Sequence, residues 1–138
     1  MQAIGVVDQS AAGLNYMQDM AEIAAVKNLT ELFKAKASIN TIQYLSSPGI
    51  ESAVAIQAGA SVLSNISPAT LQAAKQYKSL RGPEGRVYIL VGLDRQASRA
   101  LLENAVKTSM QKDPALWQAL QTQKSLDDIA ADIAALQD

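Results

Sequence analysis

The sequence predicts an α+β fold in which a four-stranded antiparallel sheet and helices follow the order β-α-β-α-β-β, with further helices at the C-terminus. Residues 86–94 carry the clearest strand pattern, since Val, Ile, Leu and Tyr make up most of this segment. Gly82-Pro83-Glu84-Gly85 forms a turn directly before this strand. After Asp94, the apolar residues recur with the 3.6-residue period of a helix.

The first half of the chain supplies two predicted strands and two predicted helices. Gln2–Asp8 has the composition of a short strand. Asn15 is expected to cap a helix that runs to about residue 36, because its side chain can accept hydrogen bonds from the first free amides. Ser38–Ser46 is rich in β-branched residues and is predicted as the second strand. Ile50–Ile66 is predicted as the second helix, because apolar residues recur four apart.

Leu71–Leu80 carries signals for both helix and strand. Ser67-Pro68 resembles a helix start with proline at the first helical position. The strand at 86–94 nevertheless needs an antiparallel partner across the Gly82–Gly85 turn, and Leu71–Leu80 is the nearest segment. We predict a strand here; a helix instead would remove one strand from the sheet.

Three helices are predicted after Asp94. The first spans Arg95–Met110, and the second begins at Asp113-Pro114 and presents Trp117, which we interpret as a packing residue and not as the wall of a ligand pocket. The third begins at Ser125, in a pattern that resembles a capping box. We therefore expect an α+β domain over residues 1–112 and a helical extension over 113–138, packed on that domain or on a partner.

Composition disfavours several classes of function. The chain has no histidine and no cysteine, so His-based catalysis, His- or thiolate-bound metals and disulfides are impossible. We expect no enzyme, no metal site and no cofactor. The formal net charge is −1, which provides no global field to attract nucleic acid. No apolar run reaches the roughly 18 residues that a membrane-spanning helix needs.

Particular residues resemble those of a known bacterial family. Gly5 lies in the first predicted strand, and the final strand reads Gly85-Arg86-Val87-Tyr88-Ile89-Leu90-Val91, followed by Leu93-Asp94-Arg95 and another helix. Over about residues 2–110, the chain resembles the LPP-twenty lipoprotein family. Members of that family share a Gly-x-Val-Tyr-x-Leu-type final strand and an Ala-x-x-x-Ala-x-x-x-Leu helix. The corresponding residues of the long helix are Ala21, Ala24, Ala25, Leu29 and Leu32.

The resemblance implies a small fold similar to dodecin, in which a curved antiparallel sheet wraps one helix. It also implies an exported lipoprotein of the bacterial envelope, in the periplasm or at the outer membrane, and some relatives are flagellar components that assemble into disks. The lipid-bearing cysteine and its signal are not in this chain, and Met1-Gln2 leads straight into the first predicted strand. We therefore expect a mature or trimmed domain that meets a membrane only through an anchor outside this chain. The family has no catalytic motif to carry over, and the tail from Asp113 has no assigned role in it.

Two surfaces are candidates for interaction. Basic residues outnumber acidic ones between positions 75 and 99, which would suit an anion-binding edge for lipid head groups, cell-wall polymer or nucleic acid. We favour a solvated hairpin whose charges deter edge pairing, and we expect no nucleic-acid partner. The last helix has a narrow apolar stripe that could dock on this domain or on a neighbouring subunit. The candidate residues are Lys78, Arg81 and Arg86 on the hairpin, and Leu126, Ile129 and Ile133 on the last helix.

Other local patterns favour ordinary structural roles. Gly82-x-x-Gly85 lacks the Lys-Ser/Thr of a phosphate loop and opens a strand, so we interpret it as a hairpin turn. Asp8, Asp19 and Glu22 could gather near a helix start, but their spacing fits no calcium loop, and we expect them to be solvated.

The sequence therefore favours a non-catalytic structural or adaptor domain that contacts other envelope proteins or copies of itself. A homo-oligomer stays open, since alanine-rich surfaces and exposed sheet edges lend themselves to self-association. The alternative is a small-ligand carrier with a pocket between sheet and helix. A carboxylate-driven hydrolase is a third hypothesis, which the missing histidine disfavours.

Overall fold

The computed structural model of the chain describes residues 1–46, 50–71, 74–120 and 125–136. Over these residues it contains a three-stranded sheet, five α-helices and one short 3-10 helix at Pro68–Leu71. The strands are β1 (Gln2–Val7), β2 (Lys75–Arg81) and β3 (Val87–Gly92). The α-helices are α1 (Leu14–Ser46), α2 (Ser52–Leu63), α3 (Arg95–Lys112), α4 (Pro114–Leu120) and α5 (Leu126–Ala135).

The chain divides into two compact units. The first comprises Met1–Phe33 and Pro68–Asp94, and therefore holds the sheet and the first part of α1. The second comprises Lys34–Ser67 and Arg95–Asp138, and holds the end of α1 together with the other helices. The predicted division into an α+β domain over residues 1–112 and a helical extension over 113–138 stays a prediction.

The predicted four-stranded sheet wrapped on a long helix, with a dodecin-like topology, is wrong. The sheet has three strands in the order β1-β3-β2, because Ser38–Ser46 continues α1 and forms no strand. Thr41 shows why a β-branched residue is tolerated there: its hydroxyl donates a hydrogen bond to the Ala37 carbonyl oxygen at 2.8 Å. Ser47-Pro48-Gly49, predicted to break that strand, lies outside the described residues.

Every fourth residue along α1 is buried. Because an α-helix turns by about 100° per residue, a four-residue repeat moves the buried face by about 40° at each step. One helix thereby supplies core residues to the first unit near its start and to the second unit near its end. The buried residues, each at most 2% exposed, are Met17, Ala21, Ala25, Leu29, Phe33, Ala37, Thr41 and Leu45.

The start of α1 differs from the prediction. Asn15 does not precede the helix as a cap but lies inside it, since α1 begins at Leu14. Gly13, directly before the helix, has a φ of 103°, a conformation that glycine adopts without steric cost.

The first unit is built on β3, which pairs antiparallel with both of its neighbours. The predicted hairpin turn is confirmed: the Gly85 N–H donates to the Gly82 carbonyl at 3.1 Å, and the Gly82 N–H donates to the Arg86 carbonyl at 2.7 Å. The predicted partner strand is confirmed from Lys75 onward. Its earlier part follows the competing helical signal, since Pro68–Leu71 forms the 3-10 helix, and residues 72–73 lie outside the described chain.

The second unit is helical, and its predicted helices are confirmed with small shifts at their ends. The cap at Ser125 is confirmed, because its hydroxyl oxygen accepts a hydrogen bond from the Asp128 N–H at 3.2 Å. Helix α5 packs mainly on α3. Trp117 on α4 is fully buried and belongs to the core of this unit, as the packing interpretation predicts.

Candidate functional site

One face of the sheet is apolar and open to solvent. Residues that pair directly across strands share a face, and the pairing places Ile4 beside Leu90, and Val6 beside Tyr88, which in turn lies beside Leu80. The alternate residues of β1 and β3 are buried on the other face of the sheet, the one that meets α1. The apolar residues on the exposed side are called the open face below: Ile4, Val6, Leu80, Tyr88 and Leu90.

The exposure of the open face is large for apolar side chains. Ile4 is 54% exposed, Leu80 is 53% exposed and Val6 is 45% exposed, while Tyr88 and Leu90 are half-buried between them. Scattered exposed apolar residues are normal on proteins, but a contiguous group on adjacent strands is a candidate interaction surface.

Charged groups border the open face at both ends. Lys78 pairs with Leu90 and therefore lies on the same side of the sheet. At the hairpin end, Arg86 Nε lies 2.8 Å from Asp8 Oδ1, and Arg86 Nη2 lies 3.8 Å from Glu84 Oε2. The surface thus has an apolar centre and a polar border, which is the anatomy of a protein-binding patch.

A small cleft opens beside Tyr88. Pro83, Glu84, Arg86 and Tyr88 line its volume of about 190 Å³. Gly82 allows the ring to lie close to the turn, because a Cβ at Gly82 would stand 2.8 Å from Tyr88 Cε2. The cleft is large enough to accept one side chain of a partner.

The two edges of the sheet differ. Edge strand β2 carries Lys78 and Arg81 and has a register irregularity between Gln76 and Lys78, both of which oppose further strand pairing. Edge strand β1 has no charged residue. It is partly covered from α1, where Asn28 Nδ2 donates a hydrogen bond to the Ile4 carbonyl at 2.9 Å.

The predicted interaction residues belong to two different units. Lys78, Arg81 and Arg86 lie on the β2–β3 hairpin of the first unit, whereas the residues from α5 lie in the second. Lys78 and Arg81 are exposed, and the charge of Arg86 is compensated by Asp8 and Glu84.

The candidate residues of α5 belong largely to the core of the second unit. Ile129 is 3% exposed and Ile133 is fully buried, while Leu126 is half-buried. Since α5 packs mainly on α3, this apolar stripe is used within the unit itself.

Asp19 and Glu22, two of the three carboxylates predicted to be solvated, share a groove on the first unit. Asp19, Glu22, Ile23, Val26 and Pro68 line it, and its volume is about 490 Å³. The third carboxylate, Asp8, is at the hairpin instead. Among the described residues, no group of three or more carboxylates is placed to hold a metal ion.

A polar chain runs through the second unit. Trp117 Nε1 donates to Ser109 Oγ at 2.8 Å, and Ser61 Oγ donates to Asp113 Oδ2 at 2.5 Å. Ser61 and Ser109 are 2.5 Å apart. Because the Ser61 proton is used on Asp113, Ser109 must be the donor to Ser61. These hydrogen bonds satisfy the buried indole N–H of Trp117 and the buried hydroxyl of Ser109.

The sequence pattern that indicates the open face is the alternation of small and large residues in β1. Ile4 and Val6 alternate with Ala3 and Gly5, and the period of two puts the large residues on one face and the small ones on the other. The small residues mark the side that approaches α1.

No protein-family model matches the chain, and a search of curated proteins found no significant relative. No described helix combines the length and the apolar character that crossing a membrane requires. The case for function therefore rests on the open face and on the sequence resemblance.

Proposed function

We propose that this chain is a non-catalytic structural or adaptor domain of a bacterial cell-envelope lipoprotein, and that it binds another protein through the open face. The observation that carries the proposal is the exposure of Ile4, Val6 and Leu80 on adjacent strands around Tyr88 and Leu90. Full burial of a large apolar side chain contributes roughly 1.5–3 kcal/mol. Covering a half-exposed group of this size therefore supplies a substantial driving force for association.

The dimensions of the open face favour one amphipathic helix as the bound element. Three strands lie about 4.8 Å apart, and a helix with its side chains is about 10–12 Å across. A helix laid on the sheet would therefore cover β1, β3 and β2 together. Lys78 at the border favours an acidic residue on the flank of that helix, and the cleft beside Tyr88 accepts one of its side chains.

The carrier alternative gains no support from the layer between sheet and helix. Gly5 lies directly against the backbone of α1, where a Cβ atom would overlap the Ala21 carbonyl oxygen and the Ala25 nitrogen. Such close packing leaves no room for a ligand at that point.

The envelope part of the proposal rests on the resemblance of the final strand and the long helix to the LPP-twenty family. It is tested on the product made in its own cell. Intact-mass analysis and fractionation should show a lipid-modified cysteine after a removed signal peptide, in the envelope fraction. A cytosolic product without a signal peptide would contradict the envelope assignment while leaving the open face to be tested separately.

The open face is tested with Ile4→Thr combined with Val6→Thr, which keeps β-branched residues in the strand and removes apolar surface. The matched control is Ile56→Thr, because Ile56 is 56% exposed on α2 and belongs to the second unit. We expect one envelope protein to co-purify in a fixed ratio with the wild type and the control, and to be lost from the double variant. Equal recovery with all three proteins would show that the open face is not the binding surface.

A further inference from the structure

The groove on α1 combines apolar and acidic character. Ile23 is 60% exposed, the highest value among the large apolar side chains described, and it lies beside Val26 and Pro68. Asp19 and Glu22 are both exposed at the groove. Among the described residues, neither carboxylate forms an ion pair and no basic side chain lines the groove. A bound segment with positive charge and an apolar side chain would satisfy both features.

The edge of β2 has the complementary character. Lys78 and Arg81 are exposed, and neither is ion-paired within the part of the chain that the structure describes. Leu80 lies between them in sequence and is 53% exposed. Because β2 is an edge strand, the side chains on both of its faces can be reached from the edge.

We infer that the β2 edge of one copy of this chain binds in the α1 groove of a second copy. Lys78 and Arg81 would face Asp19 and Glu22, and Leu80 would cover the exposed surface of Ile23. Carboxylates three residues apart on a helix are about 5–6 Å apart, whereas Lys78 and Arg81, three residues apart on β2, are about 10 Å apart and lie on opposite faces of the strand. Their long side chains can span this difference from either side of the edge. This contact shares Lys78 and Leu80 with the helix-binding proposal and otherwise uses different residues, and it does not depend on that proposal.

The contact is head-to-tail, because it joins two different surfaces, the β2 edge of one copy and the α1 groove of the next. After the first contact the pair of copies keeps one groove and one β2 edge free, so association continues into chains or closes into a ring. The area is small, so the association is weak and needs high protein concentration. Its charge pairs are exposed to salt, because the Debye length falls from about 10 Å at 0.1 M to about 3 Å at 1 M.

Two complementary variants test the inference by sedimentation velocity at low salt. The edge variant is Lys78→Gln with Arg81→Gln, and the groove variant is Asp19→Asn with Glu22→Gln. The wild type should grow in mass with concentration and lose this behaviour at high salt. Each variant alone should associate at least about tenfold more weakly. An equimolar mixture should form a species of two subunits and grow no further, because one groove and one edge remain intact.

The control is Lys27→Gln with Lys36→Gln, which removes two exposed positive charges from α1 outside the groove. This control should associate like the wild type. The double variant Ile4→Thr with Val6→Thr should also associate like the wild type, so the self-association inference and the open-face proposal can fail independently. A wild type that keeps the mass of one subunit at all concentrations would overturn the inference. So would variants that associate like the wild type, or an equimolar mixture that stays at one subunit.

Discussion

Gly5 of β1 lies against Ala21 of α1 with no space for a side chain between them. A Cβ atom built on Gly5 would overlap the Ala21 carbonyl oxygen and would also meet the Ala25 nitrogen. The contact joins backbone to backbone, so it cannot be relieved by turning a side chain. It sets the distance between β1 and α1, and thereby positions Ile4 and Val6 on the opposite face.

Gly5→Ala should lower the free energy of unfolding by at least about 2 kcal/mol, since overpacking against a fixed backbone forces the helix and the strand apart. The matched control is Gly59→Ala in α2, where the new methyl group would lie 3.3 Å from Ile42 Cγ1 and 3.4 Å from Ser38 Oγ. Those atoms belong to half-buried side chains that can shift. Replacing a helical glycine by alanine also stabilises the helix by about 1 kcal/mol. Urea titration of both variants measures the difference.

The expected pattern is a destabilised Gly5→Ala and a Gly59→Ala that is at least as stable as the wild type. If Gly5→Ala unfolded at the wild-type urea concentration, β1 and α1 would not be in backbone contact, and the basis for the open face would be lost.

Ser109→Ala should cost about 1–3 kcal/mol, because it leaves the buried Trp117 N–H without its hydrogen-bond acceptor. Ser61→Ala should cost less, since its loss leaves the bond between Trp117 and Ser109 intact. Chemical denaturation followed by Trp117 fluorescence measures both. Equal and small costs for the two variants would contradict the hydrogen bond between the buried Trp117 N–H and Ser109 Oγ.

The hydrogen bond to Glu103 and the attraction of its charge raise the pKa of Lys107 above the ordinary value of 10.5. A raised pKa in the folded state stabilises the fold below the unfolded pKa, and that contribution is lost as the pH rises through the folded pKa. The contribution of Lys107 should therefore be constant through neutral pH and be lost in the alkaline range.

Glu103→Gln tests this, because it removes the charge and keeps the shape. An NMR titration of the Lys107 side chain should show a lower midpoint in the variant than in the wild type. Identical midpoints would mean that the ion pair between Glu103 and Lys107, at 3.1 Å, does not persist in solution.

Local signals predicted most helices and both strands of the hairpin, but not the sheet as a whole. Segment Ser38–Ser46 has the β-branched composition of a strand, and only the four-residue burial repeat that reaches Thr41 and Leu45 makes it helical. That repeat reflects contacts in two units, which no short window of sequence contains. A strand was therefore predicted where tertiary packing overrides propensity.

The candidate site was predicted in part. The exposed charges of Lys78 and Arg81 follow from composition and from the turn. The open face depends on which strands are neighbours, and the order β1-β3-β2 that places Val6 beside Tyr88 is not a local property of the sequence. The stripe of α5 was visible as a pattern, but its burial on α3 depends on the helix against which it packs.

The central claim is that the open face binds another protein. The most direct test places a photo-crosslinking amino acid at Ile4 or Val6 in the full-length protein, in its own cells, with position Ile56 as the control. We predict that positions 4 and 6 crosslink to the same protein, through one amphipathic segment, and that position 56 does not. No crosslinked protein at positions 4 and 6, or the same products from position 56, would contradict the account.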